Sequence, residues 1–223
     1  MKIRLLILAL LIYFVGFTQN KTDSLFNYLE DQLYFSVLNN NLINTPDGFK
    51  TYGFSNGISF GFIKDIPLNN RRNIGIGIGL GYASDTFKNN LKMVENNGLF
   101  QFSLQNENYD TNKISTKAIE VPLEFRWRTS TPDKFKFWRI YSGIKVSYLY
   151  KNEYTFIDSS INYKINNPEK LNEWQYGLTL SAGYSSFNLY TYFGLNPLYN
   201  NVKINNENTS IRVLKVGLIF YIL

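Results

Sequence analysis

The sequence contains no cysteine and no histidine. Disulfides, thiol chemistry and any metal site or acid–base relay built on those residues are thereby excluded. The common zinc, haem, Ser-His-Asp and Cys-His chemistries fall together, and with them the His-dependent chemistry on which barrel lipases, deacylases and proteases generally rely. No catalytic residue, cofactor site or metal site is expected. Charged residues are modest at 18%, and apolar runs are short. What the 223 residues do contain is 18 Phe, 17 Tyr, 3 Trp and 15 Gly, a composition that favours strands in a single domain of ordinary size.

The one long apolar run is at the start. Lys2 and Arg4 precede a stretch from Leu5 to Val15, and the small residues Gly16 and Thr18 stand before Gln19. That is the pattern of a secretory signal peptide cleaved after Thr18; the run is short for a spanning helix, and no cysteine follows to accept a lipid. Residues 19–31 then form a short periplasmic lead and 32–223 the folded domain. Loss of Lys2 and Arg4 takes 23 basic residues to 21 against 17 acidic ones, so the net charge falls from +6 to +4. A charge this mild gives no reason to expect nucleic acid as a partner.

Period-two alternation is regular from residue 52 onward. Ile74, Ile76, Ile78, Leu80 and Tyr82 alternate with Gly75, Gly77, Gly79 and Gly81. Ile119, Val121, Leu123, Phe125 and Trp127 alternate with Glu120, Pro122, Glu124, Arg126 and Arg128. Similar segments run over 138–150 and 174–184, with weaker ones over 32–40, 51–64, 186–197 and 209–222. The last is apolar on both faces, which leaves its register ambiguous by one residue. The total is eight, an even number compatible with closure.

A soluble sandwich also alternates, so the links must arbitrate. Those at Pro67–Arg72, Thr129–Lys134 and Ser185–Ser186 are short; those at 41–50, 87–112, 151–172 and 197–208 are long and polar. Strict alternation places all short turns at one end and all long loops at the other, as in an outer-membrane barrel with both termini periplasmic. Membrane-interface aromatics fit the same picture, with Trp127 and Trp138 beside a short turn and Tyr82, Tyr148, Tyr150 and Trp174 beside long loops. The expected fold is all-β, an eight-stranded antiparallel up-and-down transmembrane β-barrel in outer-membrane lipid.

An eight-stranded barrel is filled by its own side chains. One wall here is small (Gly53, Ser55, Gly57, Ser59, Gly61 and the four glycines from 75 to 81). The opposite wall carries an interior charge network of Glu120, Glu124, Arg126, Arg128, Arg139 and Lys145, with Tyr190 and Tyr192. Buried charges need partners, and both signs are present. Avoidance of Arg126 opposite Arg139 predicts a register with Glu124 opposite Arg139 and Glu120 diagonal to Lys145, with Pro122 as the place for a bulge. Glu120 and Glu124 are then structural partners of cations, not an acid–base pair. The glycine run is not a dinucleotide fingerprint, because Leu80 stands where the third glycine would be needed. Arg71, Arg72, Lys134 and Lys136 form a basic periplasmic rim suited to anionic headgroups or a docked protein. Residues 99–104 are placed to extend a strand pair beyond the membrane, within loops read as a solvated cap.

The stretch Ile119-Glu-Val-Pro-Leu-Glu-Phe-Arg-Trp-Arg128 followed by Lys136-Phe-Trp-Arg-Ile-Tyr141 resembles the middle hairpin of small Bacteroidota outer-membrane barrels of the PorT-like family. The resemblance implies a non-enzymatic accessory or partner-docking role in type IX protein secretion and associated gliding motility, with other secretion-machinery proteins as partners. It supplies no catalytic residues. Two other roles stay open on the residues alone: a narrow solute-binding or transport barrel, and a structural or adhesive surface barrel.

Overall fold

The computed structural model describes residues 31–106, 109–129, 137–200, 202–204 and 207–222. The expected signal peptide, most of the lead, and Lys134 and Lys136 of the expected rim lie outside them. Among the described residues there are thirteen strands: β1 (Gln32–Ile43), β2 (Asn56–Pro67), β3 (Ile74–Lys88), β4 (Leu91–Asn96), β5 (Leu99–Leu104), β6 (Thr111–Arg128), β7 (Trp138–Ile157), β8 (Asn162–Asn166), β9 (Trp174–Tyr184), β10 (Phe187–Gly194), β11 (Val202–Ile204), β12 (Glu207–Thr209) and β13 (Arg212–Ile222).

Eight of them form the barrel. The antiparallel order β6-β3-β2-β1-β13-β10-β9-β7 closes on itself through the pairing of β6 with β7. Alternation dictates this wall: Leu33, Phe35 and Val37 face out from β1 while Tyr34, Ser36 and Leu38 face in, and each further barrel strand repeats the pattern. Outward residues such as Leu80, Leu178, Leu180 and Leu189 remain exposed, a band that would be a severe liability in water and is the expected surface in lipid. From Ile119 to Trp127 the band covers roughly 27 Å along β6. Trp127 and Trp138 face out at the short-turn end, where Trp138 packs on Tyr184 with ring centroids 5.4 Å apart. Tyr148 and Trp174 pair at 5.0 Å toward the long-loop end, with Tyr82 against Phe60 at 5.4 Å.

Several boundaries differ from expectation. β3, β6 and β7 continue to Lys88, from Thr111 and to Ile157, so one sector of the wall rises well above the rest. A bulge makes this possible. Leu149 pairs with Ala118 but Lys151 pairs with Lys117, leaving Tyr150 as the extra residue, so that Tyr150 and Lys151 both face out and Asn152, Tyr154 and Phe156 face in. β2 begins later than residue 51, which leaves Gly53 exposed in the preceding loop with φ of 61° and outside the interior wall. Residues 99–104 pair with 91–96 as a separate hairpin and extend no barrel strand. The last strand settles with Val213, Lys215, Ile219 and Tyr221 on the inward side.

The long loops are not merely solvated. Hairpin β4–β5 buries Leu91 and Met93 against Tyr154 and Phe156, and Phe102 packs on Tyr199 with centroids 5.9 Å apart. The Tyr154 hydroxyl accepts the Met93 N–H at 3.1 Å while the Tyr163 hydroxyl donates to the Met93 carbonyl at 2.7 Å. Burial pushes both phenols up from their usual range, which keeps them neutral. The two backbone N–H groups of Ser160 and Ile161 hold the Asp158 carboxyl below its usual range and fix the turn into β8.

The small wall is required by what lies against it. A Cβ at Gly77 would collide with Arg126 Nε, and one at Gly81 would overlap the Tyr34 hydroxyl. Gly77→Ala is expected to destabilise the folded barrel by about 1–3 kcal/mol. Urea titration in lipid vesicles, followed by tryptophan fluorescence, checks this; a wild-type midpoint would show that Arg126 can yield.

Candidate functional site

The barrel axis is the most distinctive site in the molecule. Arg126, wholly buried, lies between two carboxylates: Nη1 donates to Asp65 Oδ1 at 3.0 Å, and Nε and Nη2 donate to Glu124 Oε2 at 3.1 and 3.0 Å. Its guanidinium carbon sits 4.7 Å from the Tyr141 ring centroid. Arg128 Nη2 donates to the other Asp65 oxygen at 2.6 Å, and its Nε donates to the Arg72 carbonyl at 2.7 Å. Asp65 therefore bridges two arginines. Farther along the axis, Lys145 Nζ reaches Glu120 Oε2 at 3.0 Å, and the Tyr34 hydroxyl donates to Glu120 Oε1 at 2.7 Å. A third centre pairs Lys215 with Asp85, which also accepts from Asn40 Nδ2 at 3.0 Å.

Local sequence explains why these groups converge. The glycines of β3 vacate the space that Arg126 and Tyr34 occupy, and β6 projects Glu120, Glu124, Arg126 and Arg128 inward at every second residue. A closed wall of eight strands brings β2, β3, β6, β7 and β13 within side-chain reach of one another.

The expected register of the central hairpin is wrong, although Glu120 does lie diagonal to Lys145 and pairs with it, as expected. Glu124 stands opposite Gly143, Glu120 opposite Ser147, and Arg128 directly opposite Arg139. Glu124 bonds Arg126 on its own strand and accepts from the Tyr221 hydroxyl at 3.2 Å, so no Glu124–Arg139 pair forms. Two like charges are tolerated in register because each is compensated from elsewhere. Arg128 has Asp65 of β2, and Arg139 lies over the rings of Phe137, Tyr141 and Tyr221 at 4.6, 5.8 and 5.6 Å. The Arg139 Nε and Nη1 atoms are buried without a hydrogen-bond acceptor among the described residues. Pro122 pairs with Lys145 of β7 with no register shift, while its pairing to β3 lapses at Val121 and Pro122; the bulge lies at Lys117/Ala118 instead.

Sequence reasoning missed Asp65, Asp85, Lys215, Tyr34 and Tyr221. Asp65 and Asp85 continue the inward odd series of β2 and β3 past the ends assigned to those strands, so a longer window would have found them. Lys215 was hidden by the two-sided apolar pattern of β13. At the short-turn end Arg71 is exposed, whereas Arg72 is half-buried at φ of 56° and serves Arg128 through its carbonyl. Among the described residues no group of His, Cys, Asp or Glu is arranged to hold a metal ion.

Asp65→Asn removes the carboxylate that bridges Arg126 and Arg128 and is expected to cost about 3–5 kcal/mol in folding equilibria. Glu120→Gln should likewise destabilise more than Glu120→Leu combined with Lys145→Met. Equal losses in that second comparison would mean that water screens the axis.

Comparison with solved structures relates the chain to the crystal structure of Ail, the attachment invasion locus protein of Yersinia pestis, in complex with the heparin analogue sucrose octasulfate. Identity is 12%, with 86% of this chain and 97% of that one covered at a TM-score of 0.37. A second Ail structure gives 11% identity over the same coverage, 86% and 97%, with a TM-score of 0.34. No curated protein matches. The family model described as the outer membrane protein beta-barrel domain matches residues 17–200, which is most of the chain. With a closed eight-stranded wall, an apolar outer band and a charged, filled axis, the chain belongs to the outer membrane protein beta-barrel domain family.

Proposed function

We propose that this barrel is a non-enzymatic, non-conducting membrane anchor that presents a folded cap to a protein partner, as an accessory of protein export at the cell surface. The observation that carries the reading is the filled axis. Arg126, Asp65, Glu124 and Arg128 occupy it at one level and Lys145 with Glu120 at another. Near the Lys215–Asp85 pair the interior void is about 20 Å³, room for about one water. A solute path would require these pairs to part, and each parting leaves a buried charge uncompensated.

The packed cap supports a docking role, because hairpins β4–β5 and β7–β8 hold Val94, Leu99 and Ile161 exposed on an ordered frame. The resemblance of residues 119–141 to PorT-like barrels suggests the partner class, the machinery of type IX secretion and associated gliding motility. In this reading the long loops face outward, both termini face the periplasm after signal cleavage, and Arg71 and Arg72 stand at the periplasmic rim. The same exposed hairpins also favour a second reading, a structural or adhesive surface barrel with no secretion partner.

Three measurements test these claims. Purified protein in planar bilayers should show no steady conductance; a reproducible open channel would put a transport barrel first. In intact cells an impermeant maleimide should label Asn162→Cys but neither Asn70→Cys nor Ser130→Cys, and the opposite pattern would invert the orientation. Gentle solubilisation of a tagged protein should bring down secretion components. Recovery of the barrel alone, with surface attachment lost on deletion, would favour the adhesive reading.

A further inference from the structure

The tall sector of the wall carries an unusual arrangement on its outer face. In the ladders Lys88 lies opposite Lys113, and Lys117 lies opposite Lys151. Both pairs point away from the axis, since their strand neighbours Phe87, Asn112, Ala118 and Asn152 are buried inward. Directly opposed side chains on one sheet face have Cβ atoms about 5 Å apart, so each pair is a like-charge contact that the fold must tolerate. None of the four makes an ion pair among the described residues. The nearby carboxylates are outnumbered: Glu153, opposite Ser115 on the same face, is held by Lys164 at 3.0 Å, and Asp110 shares a cleft with Lys88. Lys164 beside Glu153 keeps that carboxyl below its usual range, with Lys113 adding to the effect.

Height along the wall selects the ligand. Lys117 is the next outward residue after Ile119 on β6, and Lys151 follows Tyr150 through the bulge. Ile119 is paired with both Tyr82 and Tyr148, which belong to the aromatic row at the edge of the apolar band. Lys117 and Lys151 therefore sit one step above the lipid-facing surface, where headgroups begin, and the Lys88–Lys113 pair stands two outward residues higher on β6, roughly 13 Å farther along the strand. Among the described residues the upper outward positions of β1, β2 and β10 are Asn39, Asn41, Asn56 and Phe193, and β13 carries a half-buried Arg212, so opposed lysine pairs occur only on the β3–β6–β7 side.

We propose that the β3–β6–β7 face, through Lys88, Lys113, Lys117 and Lys151, is a binding site for the phosphate groups of an anionic membrane lipid. The opposed lysine pairs repel in the empty site and are relieved when a phosphate lies between them, which ties the anion to one side of the barrel. The lipid tails pack on the apolar band below, through Ile119, Val121 and Tyr148. Soluble phosphate lacks that second contact. The inference needs only a membrane-spanning barrel and holds whichever end faces out, so it can fail or stand independently of the export reading.

The test uses the full barrel in neutral detergent with diphosphorylated lipid A as the probe, read by native mass spectrometry. Lipid A should remain bound to the wild type and bind Lys117→Gln/Lys151→Gln on the order of tenfold or more weakly. Lys64→Gln, which removes an exposed cation from the lipid face near the other end, should bind as the wild type does. In lipid-free detergent the double variant should melt no lower than the wild type, because a repulsive pair is lost; only the wild type should gain stability when lipid A is added. Equal binding by the double variant, equal binding of a dephosphorylated lipid A, or displacement by millimolar inorganic phosphate would each overturn the proposal.

Discussion

The structure depends on burying Arg126. A guanidinium with no solvent contact has to be matched on every side, and in this barrel three strands supply the match: Asp65 from β2, Glu124 from β6 itself and the Tyr141 face from β7. The glycines of β3 follow from the same demand, since Gly77 is where a side chain would collide with it. A charge at this depth adds little net stability compared with a well-packed apolar residue, but its hydrogen bonds are directional and tolerate little displacement. Those bonds therefore act mainly on which strands meet, and in what register, more than on how tightly they hold.

Two chemistries divide the wall by parity. Outward positions face lipid with Leu, Ile, Val and Phe, and inward positions carry charges, tyrosines and small residues, with glycines gathered on β3. Neither set resembles the core of a soluble protein. Apolar burial against lipid holds the barrel in its membrane, while polar satisfaction along the axis holds its shape, so the two can be perturbed separately. Above the aromatic row a conventional apolar core returns, built from Met93, Tyr154, Phe156, Leu198 and Ile204 in the loops.

Much of this was legible in the sequence, for physical reasons. A barrel strand sees lipid on one side and a crowded axis on the other, so period-two alternation in segments such as 74–82 and 119–128 is strong enough to read without a structure. Inward placement of Glu120, Arg126 and Lys145 follows from the same parity. The pairing partners did not follow. Nearest-neighbour charge rules put Glu124 across from Arg139, but in a closed barrel of this width a side chain reaches across the axis as easily as to the adjacent strand. Asp65 could thus compensate Arg126 and Arg128 from β2, which removed the penalty on which the expected register rested. Loop structure was hidden for another reason: the hairpin 91–104 is held at Met93 by the Tyr154 and Tyr163 hydroxyls of the hairpin 153–166, which are far away in sequence.

The bulge at Tyr150 separates two phases of one strand. Below it, β7 keeps odd residues on the axis; above it, even residues turn inward, so the membrane wall and the cap are read in different frames along a continuous backbone. A sequence change in the cap that alters its inward pattern need not disturb the lipid-facing series below, because the phase is reset at one residue. The two halves of the tall sector can consequently diverge at different rates, one tied to the thickness of a bilayer and the other to whatever the cap must meet.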